Sequence, residues 1–350
     1  MSNFTADYKQ VLTSSNHTYN YVSMIGPNPW VAPCRQSTGT NQSFTIKYTS
    51  VSPLSKTIIL FIHGFPYTSK IWRHQIAHFE NLGYGCIAPD ILGHGKTSKP
   101  KNPADYVCPV AARSMVDILD AEGVHKAIVV GHDWGSAIAS RTAMGYSSRV
   151  LALVMVCAPY FKPGPFDVEA MNKMTEQAFG KACFGYWEVF LNEPELLTQH
   201  IESAYDLFFA KDTSAWGKHF APRGTFREWL LSDSRCEVKA SIEHIDRQAY
   251  FANEWEAALQ YYHCFAEGYN EEAENAIPTD QTDILVPALM IAASSDGCSP
   301  LPMVMSMQSG LKDGKLVVIE GDHHVFLDHP DQFGAELETF FKERGFKPQK

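Results

Sequence analysis

The sequence predicts an α/β protein with a mostly parallel central sheet and an inserted helical segment. Short runs of apolar and β-branched residues, at 57–62, 84–88, 127–130 and 150–156, alternate with stretches of helical periodicity. Such alternation is typical of βαβ units, which place parallel strands side by side in one sheet. From about residue 160 to residue 277 the alternation stops, and the chain is helical in texture and rich in aromatic residues.

Strand-like runs return at 288–292 and 316–320. We therefore expect one sheet domain, formed by residues 1–160 and 278–350, with a helical cap segment at residues 161–277 inserted between its two parts. Prolines at both ends of the cap segment are typical of such boundaries.

The remaining elements follow from the same patterns. Two β-rich stretches, 18–22 and 43–48, flank a region rich in Pro, Gly and Asn, which predicts a strand pair at the start of the fold. Helices are expected at the following places: 71–79, around 111–119, from 136 onward, and 331–342.

The composition excludes several classes of partner. The 350 residues are 45% hydrophobic and carry a formal net charge of −10, with a pI near 5.8, which disfavours binding to nucleic acid or to an anionic membrane. Eight cysteines occur without C-x-x-C spacing, so buried free thiols are expected rather than disulfides or zinc. Neither a signal peptide nor a membrane-spanning run is evident, which favours a cytoplasmic location.

The stretch Gly-His-Asp-Trp-Gly at 131–135 has the features of a nucleophile elbow. It follows the apolar run 127–130 and precedes a helix start at 136–140, and its two glycines permit a turn that exposes the central side chain. That side chain is Asp133. A carboxylate is already ionised near neutral pH, so it can attack an electrophilic carbon without a base and form an ester on the enzyme.

Two later loops supply the partners that an elbow nucleophile needs. Asp296 follows the run 288–292, and His323 follows the run 316–320, which is the order nucleophile, acid, histidine of α/β-hydrolase arrangements. Asp296 could orient the histidine ring, and the histidine could act as a base. His324 is a rival for that role at this point.

An oxyanion hole is predicted beside the elbow. The run 57–62 ends at His63, Gly64, Phe65 and Pro66, where the backbone N–H of Phe65, together with that of Trp134, could stabilise the charge formed when the ester carbonyl is attacked.

Taken together, these motifs resemble those of soluble epoxide hydrolases of the α/β-hydrolase fold, in particular the fungal members. The match covers nearly the whole chain, and its strongest pieces are His63-Gly64-Phe65-Pro66, Trp72-Arg73-His74-Gln75, Ala88 to Gly95, the elbow at 131–135, and the late Asp296 and His323. The family's histidine precedes a proline by seven positions, which selects His323 with Pro330. His324 departs from the family, because it replaces a tryptophan.

The resemblance implies two tyrosines in the cap that hold the epoxide oxygen, at Tyr186 and Tyr262. Asp133 would open the epoxide, and His323, oriented by Asp296, would activate the water that hydrolyses the ester to a vicinal diol. No cofactor and no metal is implied.

The expected partner is a small apolar epoxide. His63, Pro66, Trp187 and Phe190 are expected to contact it. We expect no nucleic-acid partner and no membrane span, and we carry a homodimer as a candidate assembly.

Three alternatives remain open on sequence alone. An aspartate-nucleophile dehalogenase shares the elbow, but this chain has Phe65 where haloalkane dehalogenases often place Asn, and it has Trp134 and Ala137 where fluoroacetate dehalogenases carry arginines near the elbow. A biosynthetic cyclase would open the epoxide with an internal hydroxyl. A receptor could retain the fold without turnover.

Overall fold

The computed structural model describes residues 8–25, 56–242 and 255–348. Within these residues an eight-stranded sheet has the order β1-β2-β4-β3-β5-β6-β7-β8. Its strands are β1 Tyr8–Leu12, β2 Thr18–Met24, β3 Ile58–Ile62, β4 Gly85–Pro89, β5 Ala127–His132, β6 Val150–Val156, β7 Ala288–Ala293 and β8 Gly314–Ile319. Strands β3 to β8 are parallel, whereas β2 is antiparallel to both β1 and β4. The predicted mostly parallel α/β sheet is confirmed.

The first strand was not predicted. Tyr8–Leu12 pairs with Thr18–Met24 through a turn in which the Thr13 N–H donates to the His17 carbonyl at 2.9 Å. As an edge strand it is largely exposed, so it lacks the apolar pattern by which strands are recognised. The predicted strand at 43–48 lies outside the described residues.

The central strands are apolar because helices cover both faces of the sheet. Every residue of β3, β4, β5 and β7 is buried, as expected for a parallel sheet between helical layers. The α-helices outside residues 161–277 are Arg73–Asn81, Cys108–Ala121, Trp134–Gly145, Leu301–Ser306, Val325–Asp328 and Pro330–Glu343. The four predicted helices are therefore confirmed, with boundaries shifted by a few residues.

Between β6 and β7 the described chain is helical. The helices of this region are Val168–Phe179, Trp187–Asn192, Glu195–Gln199, Ile201–Phe208, Thr225–Leu231, Trp255–Ala258, Gln260–Ala266 and Tyr269–Glu274, with a π-helical turn at Trp216–Phe220. Aromatic side chains from this region pack over the elbow; the Phe265 ring, for example, lies 5.0 Å from the Trp134 ring. The division of the chain into a sheet domain and a cap stays a prediction.

The direction of the strands gathers the loops that carry the predicted site. Because β3, β5, β7 and β8 are parallel, their carboxyl ends meet at one edge of the sheet, where binding crevices form in α/β folds. Ile62, the last residue of β3, is paired with Gly131 of β5. The residues after β3 therefore lie against the elbow.

Among the described residues, no helix has the length and apolar character needed to cross a bilayer.

Candidate active site

The turn after β5 holds Asp133 in a strained conformation. Its φ is 54° and its ψ is −123°, a region that non-glycine residues avoid at a cost of about 1–3 kcal/mol. The flanking glycines allow the turn. A Cβ at Gly131 would lie 2.1 Å from the Gly135 carbonyl oxygen, and a Cβ at Gly135 would lie 2.1 Å from the Ile62 carbonyl oxygen. The strand-turn-helix geometry predicted at 131–135 is present.

Backbone donors surround the Asp133 carboxylate. The Phe65 N–H donates to Asp133 Oδ1 at 2.9 Å, and the Trp134 N–H also bonds to this carboxylate. A Cβ at Gly64 would lie 2.3 Å from Asp133 Oδ1, so only glycine lets the loop after β3 approach this closely. The structure thus brings together the two donors that the sequence predicted.

His323 lies between the two aspartates. Its Nδ1 hydrogen-bonds to Asp296 Oδ2 at 2.7 Å, and its Nε2 lies 3.8 Å from Asp133 Oδ2. The other oxygen of Asp296 accepts from the N–H groups of Cys298 and Ser299, at 2.9 and 3.0 Å. With Nδ1 directed to Asp296, Nε2 faces the space beside Asp133, where a water molecule could be deprotonated.

Burial and their mutual charges shift the pKa values of Asp133 and His323. Burial raises the pKa of Asp133 above its ordinary value, although His323 and the backbone donors of Trp134 and Phe65 oppose the shift. Burial alone would lower the pKa of His323, but the negative charge and hydrogen bond of Asp296, followed by the charge of Asp133, raise it above 6.5. The ionised aspartate and the histidine therefore stabilise each other's charged forms.

The rival histidine is directed elsewhere. His324 is 1% exposed. Its Nδ1 bonds to Asp322 at 3.1 Å, and its Nε2 bonds to the Tyr67 hydroxyl at 2.6 Å. Since Asp296 contacts only His323 of the two, the geometry favours the histidine chosen from the sequence.

Both predicted tyrosines lie over the nucleophile. The rings of Tyr186 and Tyr262 are 6.1 Å apart and nearly perpendicular, and Tyr262 also lies 5.1 Å from the Trp134 ring. Burial raises the pKa of both phenols well above 10, and the Asp133 charge is the next cause for Tyr262. Both hydroxyls therefore stay protonated and remain available as donors.

Two cavities meet at Asp133. The larger has a volume of about 90 Å³ and is lined by fifteen residues, of which seven are aromatic and four, Asp133, Ser140, Arg141 and Ser299, are polar or charged. The aromatic ones are Trp134, Phe161, Phe166, Phe184, Tyr186, Trp187 and Phe265. The smaller, of about 10 Å³, has room for roughly one water molecule and is bordered by His323, Pro66 and Tyr262. Asp133, Tyr186 and Cys298 border both cavities.

Two of the predicted substrate contacts, His63 and Phe190, border neither cavity. His63 is fully buried; its Nδ1 bonds to the Gly64 carbonyl, and its Nε2 accepts from the Ile91 N–H, so its ring supports the loop beneath the site. Burial lowers its pKa to about 4. Phe190 is also fully buried and packs behind Tyr262, with ring centroids 4.8 Å apart. Pro66 and Trp187, by contrast, line the cavities.

Several residues that border the site were not predicted, and two of them lie close to the catalytic groups. The Trp216 ring stacks on the His323 ring at 4.9 Å and 30°, and the thiol-bearing Cys298 borders both cavities. A signal existed for Cys298, because it lies two positions after Asp296 on the same loop. None existed for Trp216, because its place over His323 depends on how the π-helical turn packs against a loop more than 100 positions later in the chain.

Among the described residues, one group brings possible metal ligands close together. His132, Cys157 and His323 bring candidate ligand atoms within 4.8 Å of one another. His132 Nε2, however, donates to the His323 carbonyl at 3.0 Å, and His323 Nδ1 is bonded to Asp296. Burial holds the pKa of the Cys157 thiol well above 9. A metal ion would have to displace these bonds and deprotonate that thiol, so this arrangement does not fit one. The seven cysteines among the described residues are free of disulfides.

Comparison with known proteins agrees with the geometry. Residues 57–330 match the family described as the alpha/beta hydrolase fold. Epoxide hydrolase 1 of Caenorhabditis elegans is 25% identical over 305 residues, which are 85% of this chain and 68% of that protein. Epoxide hydrolase 3 of Siraitia grosvenorii is 36% identical over 108 residues, so the match spans 31% of this chain and only 34% of that relative.

Solved structures share the fold. An epoxide hydrolase from an endophytic Streptomyces superposes with a TM-score of 0.75 at 19% identity, covering 99% of this chain and 98% of that one. Epoxide hydrolase I of potato (Solanum tuberosum) has a TM-score of 0.71 at 21% identity, covering 97% and 100%. The predicted resemblance to epoxide hydrolases is thus confirmed, and the chain belongs to the α/β-hydrolase fold family.

Proposed function

We propose that this protein is an epoxide hydrolase that forms a covalent ester on Asp133. The observation that carries the proposal is the position of two protonated tyrosines, Tyr186 and Tyr262, beside the carboxylate of an elbow aspartate. Opening an epoxide requires a nucleophile on one side of the carbon and a donor to the departing oxygen on the other. The names of the relatives support the same activity.

In the first step a carboxylate oxygen of Asp133 attacks an epoxide carbon, and the carbon–oxygen bond of the ring breaks. The released oxygen stays attached to the substrate as an alkoxide, and it takes a proton from Tyr186 or Tyr262. The product is a hydroxyalkyl ester, with one phenol ionised.

In the second step His323 Nε2 removes a proton from water, and the hydroxide attacks the ester carbonyl of Asp133. The N–H groups of Phe65 and Trp134 stabilise the oxyanion, and collapse releases the second alkoxide of the diol. Of the two protons of the water molecule, one reaches this alkoxide through His323 and the other restores the phenol. Asp296 holds the histidine ring in the required tautomer.

The two cavities support a proposal about the kind of epoxide. The aromatic walls of the larger cavity suit an apolar, flat substituent. The smaller cavity, beside His323, suits the hydrolytic water. We therefore propose an apolar epoxide with its bulk on one side.

Product identification tests the proposal. The protein is incubated with styrene-type, aliphatic and terpenoid epoxides and with haloalkanes, and the products are identified by chromatography and mass spectrometry. A vicinal diol is expected from an epoxide. Halide release without diol would indicate a dehalogenase, a ring-closed product would indicate a cyclase, and tight binding without turnover would indicate a receptor.

A variant tests the ester itself. His323→Gln removes the base but leaves the nucleophile, so one substrate equivalent should remain bound to Asp133 and be detected as a mass increase of the intact protein. An unmodified His323→Gln protein that still binds substrate would contradict the covalent step.

Three further proposals rest on the same reading of the sequence. We take residues 161–277 to be a cap domain over the site, the location to be cytosolic, and a homodimer to be the candidate assembly. Limited proteolysis, cell fractionation and sedimentation analysis test them in turn.

A further inference from the structure

A buried ionic cluster lies under the loop that carries His323. Lys239, from the cap segment, donates to Asp322 Oδ2 at 2.7 Å and also to Asp328 Oδ2. The Lys239 side chain is 6% exposed and that of Asp322 is 9% exposed. Ser241, also from the cap segment, donates to the other oxygen of Asp328 at 2.7 Å. The cap segment therefore bonds to both ends of the stretch 322–328.

The cluster continues through His324. Asp322 Oδ1 accepts from the His324 N–H at 2.9 Å and from its Nδ1 at 3.1 Å. With Nδ1 donating, Nε2 accepts from the Tyr67 hydroxyl, which comes from the loop after β3. Asp322 is thus the junction between a lysine of the cap segment and His324.

The cluster holds the residues immediately before and after His323 in the sequence. The neighbours of His323, Asp322 and His324, are both held by the cluster, while the His323 carbonyl accepts from His132 Nε2 at 3.0 Å. Its ring is covered by Trp216, again from the cap segment. The distance of 3.8 Å between His323 Nε2 and Asp133 therefore depends on contacts that the cap segment supplies.

We propose that Lys239 is a positioning residue for ester hydrolysis: it holds Asp322, and through it the loop that places His323 against the ester on Asp133. The inference rests on the proposed function, because it assigns Lys239 to the second step. Lys239 borders neither cavity, so it does not act on the substrate directly.

The net contribution of this cluster to the stability of the fold is too small to be its whole role. Burying an ion pair brings little net stability, because the desolvation of both charges offsets their attraction. The role proposed for this pair is to fix the geometry of the loop. A displacement of about 1 Å of a catalytic group costs on the order of 100-fold in rate. A displaced His323 would therefore slow ester hydrolysis. Ester formation uses Asp133 and the tyrosines and does not need His323 as a base, so it would be spared.

The test compares three variants of one chain. Lys239→Met removes the charge at similar length, Lys239→Arg keeps the charge, and Lys211→Met is the control. Lys211 lies in the same segment and pairs with Glu237, but both side chains are exposed, at 62% and 73%. For each, stopped-flow tryptophan fluorescence with one epoxide gives the rate of ester formation and the rate of ester hydrolysis.

We expect Lys239→Met to form ester within about 3-fold of the wild-type rate and to hydrolyse it about 10- to 100-fold more slowly. Ester should then accumulate in the steady state and appear in the intact-protein mass. Lys239→Arg should recover most of the hydrolysis rate, and Lys211→Met should match the wild type.

Loss of one charge partner can also unfold the protein, since it leaves buried carboxylates unpaired. The double variant Lys239→Met/Asp328→Asn removes one charge of each sign and is measured in the same way, with thermal unfolding as the check on folding. Normal hydrolysis in a folded Lys239→Met or double variant would overturn the inference. Equal slowing of both steps would also overturn it, because that is the result of a general structural role. If His323→Gln traps no ester, the proposed function fails instead.

Discussion

The two tyrosines give the sharpest test of epoxide opening. An alkoxide is the conjugate base of an acid far weaker than a phenol, so a phenol that donates to it stabilises the transition state, whereas a departing halide needs no proton. Tyr186→Phe and Tyr262→Phe each remove one donor and little volume.

The size of the effect follows from burial. Tyr186 is 8% exposed and Tyr262 is 3% exposed, and a hydrogen bond to a charged group contributes about 1.5–3 kcal/mol. At about 1.4 kcal/mol per factor of ten, each variant should form ester about 10- to 140-fold more slowly. The charge of Asp133 is second only to burial in raising the pKa of Tyr262, whereas it is a weaker contribution for Tyr186. We therefore expect the larger loss in Tyr262→Phe.

The assay is stopped-flow quenching of tryptophan fluorescence under single-turnover conditions. Trp134 and Trp187 border the larger cavity, and Trp216 borders the smaller one. Ester formation on Asp133 therefore takes place beside three tryptophans whose fluorescence can report it. Tyr261→Phe is the matched control. Tyr261 is the neighbour of Tyr262 and fully buried, but among the described residues its hydroxyl has no hydrogen-bond partner, and it borders neither cavity.

Ester formation in Tyr261→Phe should match the wild type, and the double variant Tyr186→Phe/Tyr262→Phe should be nearly inactive. Unchanged rates in both single variants would refute the role of the tyrosines. Haloalkane turnover that persists in the double variant would restore the dehalogenase alternative.

Three further outcomes are expected. In a single turnover in heavy-oxygen water, the label should enter the Asp133 carboxylate and not the diol, as peptide mass spectrometry would show; label in the first diol would mean that water attacks the epoxide directly. Ester hydrolysis needs neutral His323, whose pKa is raised above 6.5 in the free protein, so hydrolysis should fall as pH drops through that pKa. Esterification removes the Asp133 charge that contributes to this shift. The pKa of His323 read from the pH dependence of hydrolysis should therefore lie below its pKa in the free protein, measured by NMR titration. The reverse order would contradict the assigned charges. The small cavity should favour monosubstituted over bulky 2,3-disubstituted epoxides in kcat/KM, and Phe208→Leu, on its wall, should reduce this preference, whereas Phe265→Leu, on the wall of the larger cavity, should not.

The predicted catalytic residues could be identified from the sequence because each has a recognisable pattern in the residues next to it. Gly131 and Gly135 are required by close backbone contacts, so they identify the turn that presents Asp133. Asp296 and His323 each follow a recognisable strand within a few residues. Positions immediately after parallel strands share one edge of the sheet, so order along the chain is enough to predict their proximity.

The aromatic residues of the cap segment were harder to assign. Phe190 and Trp187 lie on one short helix, yet Trp187 borders the cavity and Phe190 packs behind the tyrosines. Tyr261 and Tyr262 likewise follow each other on one helix, where consecutive side chains point about 100° apart. An aromatic residue satisfies the same local pattern in either position, so sequence could not separate a wall of the site from its support.

Local sequence patterns were enough to predict the apolar strands, the elbow, and the order of nucleophile, acid and histidine along the chain. These features depend on periodicity and on backbone requirements within a few residues. The folded chain was needed to show that Asp296 contacts His323 whereas His324 bonds to Asp322 and Tyr67. It was also needed to show that Lys239 bonds to Asp322 on that loop. Those choices depend on contacts between segments as many as 257 positions apart, which are set by the packing of the folded chain and leave no mark on the local pattern.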